Sequence, residues 1–151
     1  MSFWDSVNIS ASALTAQRLR LDVISNNIAN ASTTRTAQGG PYKREDVVFV
    51  TQARNSFYPA LVMARRSGEA QQTLAAAGVQ VSKIVTDNEP GPRVYDPTHP
   101  DADANGYVTY PNVNIVSEMT NMLSATRSYE AAMSALEASK RMALRALQIG
   151  S

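Results

Sequence analysis

Twelve residues in the second half of the chain, DADANGYVTYPN from Asp101 to Asn112, carry the oxygen-rich spacing that a cation would use. Asp101, Asp103 and Asn105 alternate ahead of Gly106, as in the opening of a calcium loop, where side-chain oxygens converge around a sharp glycine turn. The Tyr107 carbonyl and Thr109 would add two more oxygens. The twelfth position departs from that pattern, because it needs a bidentate glutamate and holds Asn112. Pro97 and Pro100 also bar a helix from entering the loop. The competing reading is an Asx-rich turn leading into the strand-like YVTY. A calcium-binding module built on Asp101–Asn112 stands as the alternative function.

Other reactive constellations are missing. His99, the single histidine, lies between Thr98 and Pro100, with no nucleophile elbow elsewhere to serve. It reads as part of a rigid turn, with its imidazole in a local hydrogen bond. Zero cysteines exclude disulfides, thiolate catalysis and the usual structural zinc sites. Gly39–Gly40 precedes Pro41 and belongs to a turn, not a phosphate loop. Lys43–Arg44 and Arg65–Arg66 read as solvated basic pairs. The residues thus name no catalytic group and no cofactor.

A net charge of +1 with 18% charged residues argues against nucleic acid as the main partner. No apolar run reaches the roughly 18 residues of a membrane span. The N-terminal MSFWDSVNISASALTAQ has neither the basic nor the apolar region of a secretory signal, which argues against the general secretory route and leaves a specialised one open. Phe3 and Trp4 read as anchors for the first helix in a partner groove.

The elements that must position these residues fall into three parts by hydrophobic period. A helical pattern runs from about Asp5, with Asp5 or Ser6 as N-cap, to Asn30. The middle, about 31–112, holds six of the seven glycines and six prolines ahead of Pro111, and reads as β-rich. Its strand candidates are Asp46–Thr51, Gly78–Val85 and Tyr107–Tyr110, with a variable insertion at about 52–77 that reads either as a short helix around Leu61–Arg66 or as a mobile segment. A second helical pattern runs from about Val113 to Ile149. The domain reading is therefore 1–30 with 113–151 as a helical core, and 31–112 as the β-rich middle.

The first helix has two files. One is Val7, Ser10, Leu14, Gln17, Leu21, Ile24 and Ile28; the other is Ile9, Ser12, Ala16, Leu19, Val23, Asn26 and Asn30. Their offset of two residues is about 200° around the helix, which predicts partners on two sides. The C-terminal helix carries a heptad file from Ile115 through Met119, Met122, Thr126, Tyr129, Met133 and Leu136 to Leu147. A file of small residues runs beside it from Ala125 to Ile149. The stretch SNNIANASTT puts three asparagines where a helix ends. Asn26 and Asn30 continue the Leu19–Val23 file in polar form, which predicts amides that satisfy a neighbouring chain and fix register. Asn27 lies off that file and reads as a capping or local hydrogen-bonding residue.

ALTAQRLRLDVISNNIANAST resembles the N-terminal signature of the flagellar rod and hook family, and VNIVSEMTNMLSATRSYEAAMSALEASKRMALRALQI resembles its C-terminal one. GGPYKREDVVF and VYDPTHPDADANGYVTYPNVN resemble a proximal-rod member of that family. The resemblance implies an α+β subunit whose long terminal helices pair as a coiled coil, disordered until assembly, around a small β-rich middle. It implies export by the flagellar type III apparatus into the periplasm or cell-wall layer. It further implies polymerisation with other proximal and distal rod proteins and the membrane-ring adaptor, as a torque-transmitting shaft around the export channel. Carried onto this sequence, the assembly residues are Leu14, Leu21, Asn26, Asn27, Ile28, Asn30, Met119, Tyr129, Glu130 and Leu136.

Overall fold

A computed structural model describes residues 3–53 and 76–149. The order of elements is α1 (Phe3–Ala29), β1 (Glu45–Ala53), β2 (Ala76–Thr86), β3 (Arg93–Tyr95), β4 (Tyr107–Thr109) and α2 (Ile115–Ile149). The chain is α+β, as expected. The insertion at 52–77 lies outside the described residues except at its ends, which extend β1 and β2 beyond the predicted strands. The helix considered at Leu61–Arg66 lies wholly outside them. No described helix is long and apolar enough to cross a membrane.

Both helices begin where their chemistry allows. Asp5 sits in the first turn of α1, where a negative charge meets the positive helix end, and the helix itself starts slightly earlier, at Phe3. Asn114 caps α2 by accepting the Ser117 N–H on Oδ1 at 3.1 Å. α1 and α2 lie antiparallel. Asn27 near the end of α1 bonds Glu118 near the start of α2, while Phe3 and Ser6 share a groove with Ser139, Met142 and Ala143.

β1 and β2 pair antiparallel, from Glu45 opposite Thr86 to Ala53 opposite Ala76, with irregularities after Val48 and Thr51. This hairpin lies along α1. The Val79 N–H donates to Ser12 Oγ at 3.1 Å, the Arg20 guanidinium sits over the Phe49 ring at 6.0 Å, and Asn27 bonds Glu45. The spans match: Ser12 to Asn27 is about 22 Å of helix, and Thr51 back to Glu45 is about 20 Å of strand.

The two-file reading of α1 is therefore resolved within one chain. Ile9 and Ser12, from the second file, face β2. At 100° per residue, Val7, Leu14, Leu21 and Ile28 fall on the side of Phe3 and Ser6, which border α2. The buried Ala16 and Val23 lie with Ile9 and Ser12 on the β2 side, and the buried Ile24 falls in the angle between the two sides.

Gly78 marks the close approach of β2 to α1. Its φ is +132°, and a Cβ there would run into the Ser12 hydroxyl. Gly78→Ala is expected to cost about 1–3 kcal/mol from backbone strain alone, read as a lower melting temperature. An unchanged melting curve would mean that the hairpin is not seated on α1 in this way.

β3 and β4 form a second, three-residue antiparallel pair. β3 was not anticipated: three residues behind Pro90 and Pro92 are too few to display a period.

Candidate assembly surface

Asn27, the asparagine assigned to local capping, instead occupies the centre of the chain. It is 0% exposed, and its amide makes four hydrogen bonds. Nδ2 donates to the Glu45 carbonyl at 2.8 Å and to Glu118 Oε2 at 3.1 Å. Oδ1 accepts from the Glu45 N–H at 3.0 Å and the Tyr42 hydroxyl at 3.0 Å. Both donors and both lone pairs are thus used. The correction has a geometric cause. From Val23, a step of three residues turns back about 60° to Asn26, while a step of four turns forward about 40° to Asn27. The buried arc lies on the forward side, where Ile24 is, so Asn27 is enclosed and Asn26 is exposed. Asn30 remains local, donating Nδ2 to the Asn26 carbonyl at 3.0 Å and accepting from Thr33 Oγ1 at 3.2 Å.

Glu118 completes the cluster. It is 1% exposed and takes the Arg44 Nε–H on Oε1 at 2.9 Å. Arg44 was read as solvated surface; it is three-quarters covered and turns inward. Burial works to lower the Arg44 pKa, but the hydrogen bond and charge of Glu118, with Asp46, outweigh it and raise the value. Burial also raises the Tyr42 pKa, helped by the charges of Glu45 and Glu118. Sequence offered one signal for this node: Tyr42, Arg44, Glu45 and Glu118 all lie within the segments that carry the family resemblance.

The outer side of α2 is uncovered. Of the described elements, α2 packs on α1 alone. The stripe it turns inward is Glu118, Met122, Ala125, Tyr129, Ala132, Leu136, Ser139 and Ala143, all buried or half-buried. Around its first turns Val116 is 74% exposed, Met119 60% and Leu123 54%. Glu130 is exposed on the same arc, and Ile115 and Met133 extend it. Leu14, Leu21, Ile28, Tyr129 and Leu136 are half-buried inside the single chain. At the far end Phe3, Met142, Ala143 and Leu147 line an open groove of about 670 Å³. Isolated exposed apolar residues are ordinary; a contiguous arc marks an interaction surface.

The oxygens proposed for calcium have other partners. Asp101 accepts from Thr34 Oγ1 at 2.8 Å and lies 3.6 Å from Arg35. Asp103 takes the Asn105 and Tyr107 N–H groups on one oxygen and Arg93 on the other at 2.7 Å. The Tyr107 carbonyl accepts from the Asp103 N–H. The two carboxylates therefore serve different parts of the chain, and the calcium reading finds no support. The loop is an Asx turn under β4, with Arg93 stacked over Tyr107 and Tyr95 edge-on to it. His99 Nδ1 accepts the Asp101 N–H at 3.1 Å, the local bond expected of it.

The Tyr107 N–H, then the Asn105 N–H and Arg93, hold the Asp103 carboxyl below its usual value. A depressed pKa places the stabilising contribution above the unfolded carboxylate range and removes it as pH falls through the lower folded value. NMR titration is expected to show Asp103 below an ordinary aspartate, with the Asn105 and Tyr107 amides following the same midpoint. An ordinary midpoint would contradict the turn.

Comparison with known proteins covers the same segments. A family described as "Flagella basal body rod protein" matches residues 8–35, and "Flagellar basal body rod FlgEFG protein C-terminal" matches residues 104–149. The chain is 46% identical over 154 residues to the flagellar basal-body rod protein FlgC of Bacillus subtilis, covering 99% of each. It is 44% identical over 155 residues to FlgC of Borreliella burgdorferi, covering 99% of this chain and 98% of that protein. With FlgC of Salmonella typhimurium the identity is 38% over 150 residues, covering 99% of each.

Proposed function

Because this chain belongs to the FlgC family of flagellar basal-body rod proteins, we propose that it assembles into the rod through the uncovered arc of α2. It is a structural subunit of the basal body. It works by packing, and no catalytic step is assigned to it. Its place is the proximal rod, within the torque-transmitting shaft that surrounds the export channel. α1 and α2 pair as a coiled coil, with Leu14, Leu21, Ile28, Tyr129 and Leu136 in or beside the seam. Met119 and Glu130, with exposed Asn26, turn toward neighbouring subunits, and Asn30 finishes α1. The neighbours are other proximal and distal rod proteins and the membrane-ring adaptor. The chain reaches them through the flagellar type III export apparatus.

The observation that carries this reading is the arc itself: Val116, Met119 and Leu123 lie in water on a helix that packs on one element only. A subunit surrounded by others has a use for such a face, and a free monomer does not. The test is Met119→Asp with Leu123→Asp in a flagellated host. The variant should be made in normal amount and be absent from purified basal bodies. Full recovery in them would remove the arc from the interface.

A further inference from the structure

From the buried node we infer that Asn27, Arg44 and Glu118 form a register lock, which selects one of several otherwise equivalent alignments of α1 on α2. The need for a lock is visible in the seam. On α1, Val7, Leu14, Leu21 and Ile28 recur every seven residues on the side of α2. On α2, Ala125, Ala132 and Ser139 recur every seven residues in the stripe facing α1. A slide of one heptad, about 10 Å along the helices, puts a large residue against a small one again. Apolar packing therefore discriminates poorly between the two alignments. Gln17 does not help, because its buried Oε1 has no hydrogen-bond partner.

The node does discriminate. Sliding α2 one way sets the Asn27 amide against Ala125, where no acceptor replaces Glu118. Sliding it the other way carries Glu118 toward Arg20 and away from Arg44. Asn27 is also bonded to both backbone groups of Glu45, so it is held by β1 and cannot follow α2. Arg44 precedes Glu45 in sequence, and its carbonyl accepts the Asp87 N–H at 2.7 Å, so it is held as well. The β1–β2 hairpin thus acts as the fixed reference from which the register of the helix pair is measured. Polar residues in an apolar seam fix register in this way at some cost in stability. These three are positioning residues, and the inference rests on contacts within one chain, independent of the assembly arc.

The absence of cysteine makes the test direct. Cysteines at Ser6 and Ser139, which line one groove, report the native register; cysteines at Ser6 and Ala132 report a slide of one heptad. In the purified full chain with the node intact, the first pair is expected to close within the chain and the second to stay open. With Asn27→Leu, Arg44→Met and Glu118→Leu together, the three side chains of the lock lose their polar groups as a set, so no charge is stranded, and only the Glu45 backbone groups and the Tyr42 hydroxyl lose a partner. Both pairs should then close, while helix content by circular dichroism is kept. Glu118→Gln, which keeps an oxygen facing Asn27, should restore closure of the native pair alone when Asn27 and Arg44 are intact. The lock is refuted if the triple variant still closes only the native pair. It is equally refuted if both pairs, or neither, close with the node intact.

Discussion

Arg44→Met is expected to destabilise the folded chain by about 3–5 kcal/mol, because it strands the Glu118 carboxylate in the interior. Glu118→Gln should cost less, about 1.5–3 kcal/mol, on the scale of one lost charge-assisted hydrogen bond. The asymmetry comes from exposure. The Glu118 side chain is 2% exposed and the Arg44 side chain 25%, so an abandoned guanidinium reaches water and an abandoned carboxylate does not. Methionine keeps the aliphatic stem of Arg44, which leaves charge as the difference under test. For a chain of 151 residues, the larger effect is a fall in melting temperature on the order of 10 °C. Thermal unfolding of the two variants side by side decides the matter. If Glu118→Gln were the more damaging, the abandoned guanidinium and not the abandoned carboxylate would be the group cut off from water.

The second large effect concerns assembly. Aspartates at 119 and 123 should leave the melting temperature of the free chain nearly unchanged, since both positions face water. Docked against an apolar neighbour, each introduced carboxylate would lose its hydration at a cost of several kcal/mol. Two of them exceed about 5 kcal/mol, or more than a thousandfold in affinity. Motility on soft agar should be lost, with the protein still present in the cell. Leu21 and Leu136 are poorer targets, because both are half-buried inside the subunit and a charge there would disturb the fold first. A motile strain carrying the double aspartate would move the interface elsewhere on the chain.

Much of this architecture was legible in the sequence, and what was missed has identifiable causes. α1 and α2 are long enough for periodicity to accumulate, and the two files of α1 anticipated its two packing partners. One of those partners turned out to be the chain's own hairpin, which alternation along a single strand cannot reveal. Long-range polar contacts leave no period at all. Arg44 beside Lys43 looks like any solvated basic pair, and only the fold brings it to Glu118, 74 residues away. Asn26 and Asn27 differ by one step on the helix, and burial of Ile24 settles which of them turns inward. The calcium spacing at Asp101–Asn105 shows the converse limit. A motif can match in residue type while Thr34 and Arg93 take its oxygens.

The hairpin's seating on α1 has a mechanical consequence. It is fastened near one end by Ser12 to Val79 and at the other by Asn27 to Glu45, with Arg20 over Phe49 between. A plate pinned at one point swings, and a plate pinned at two points some 20 Å apart cannot. A twisting load applied to α1 is therefore passed to the hairpin as a couple across both pins, and the two elements turn as one stiff body.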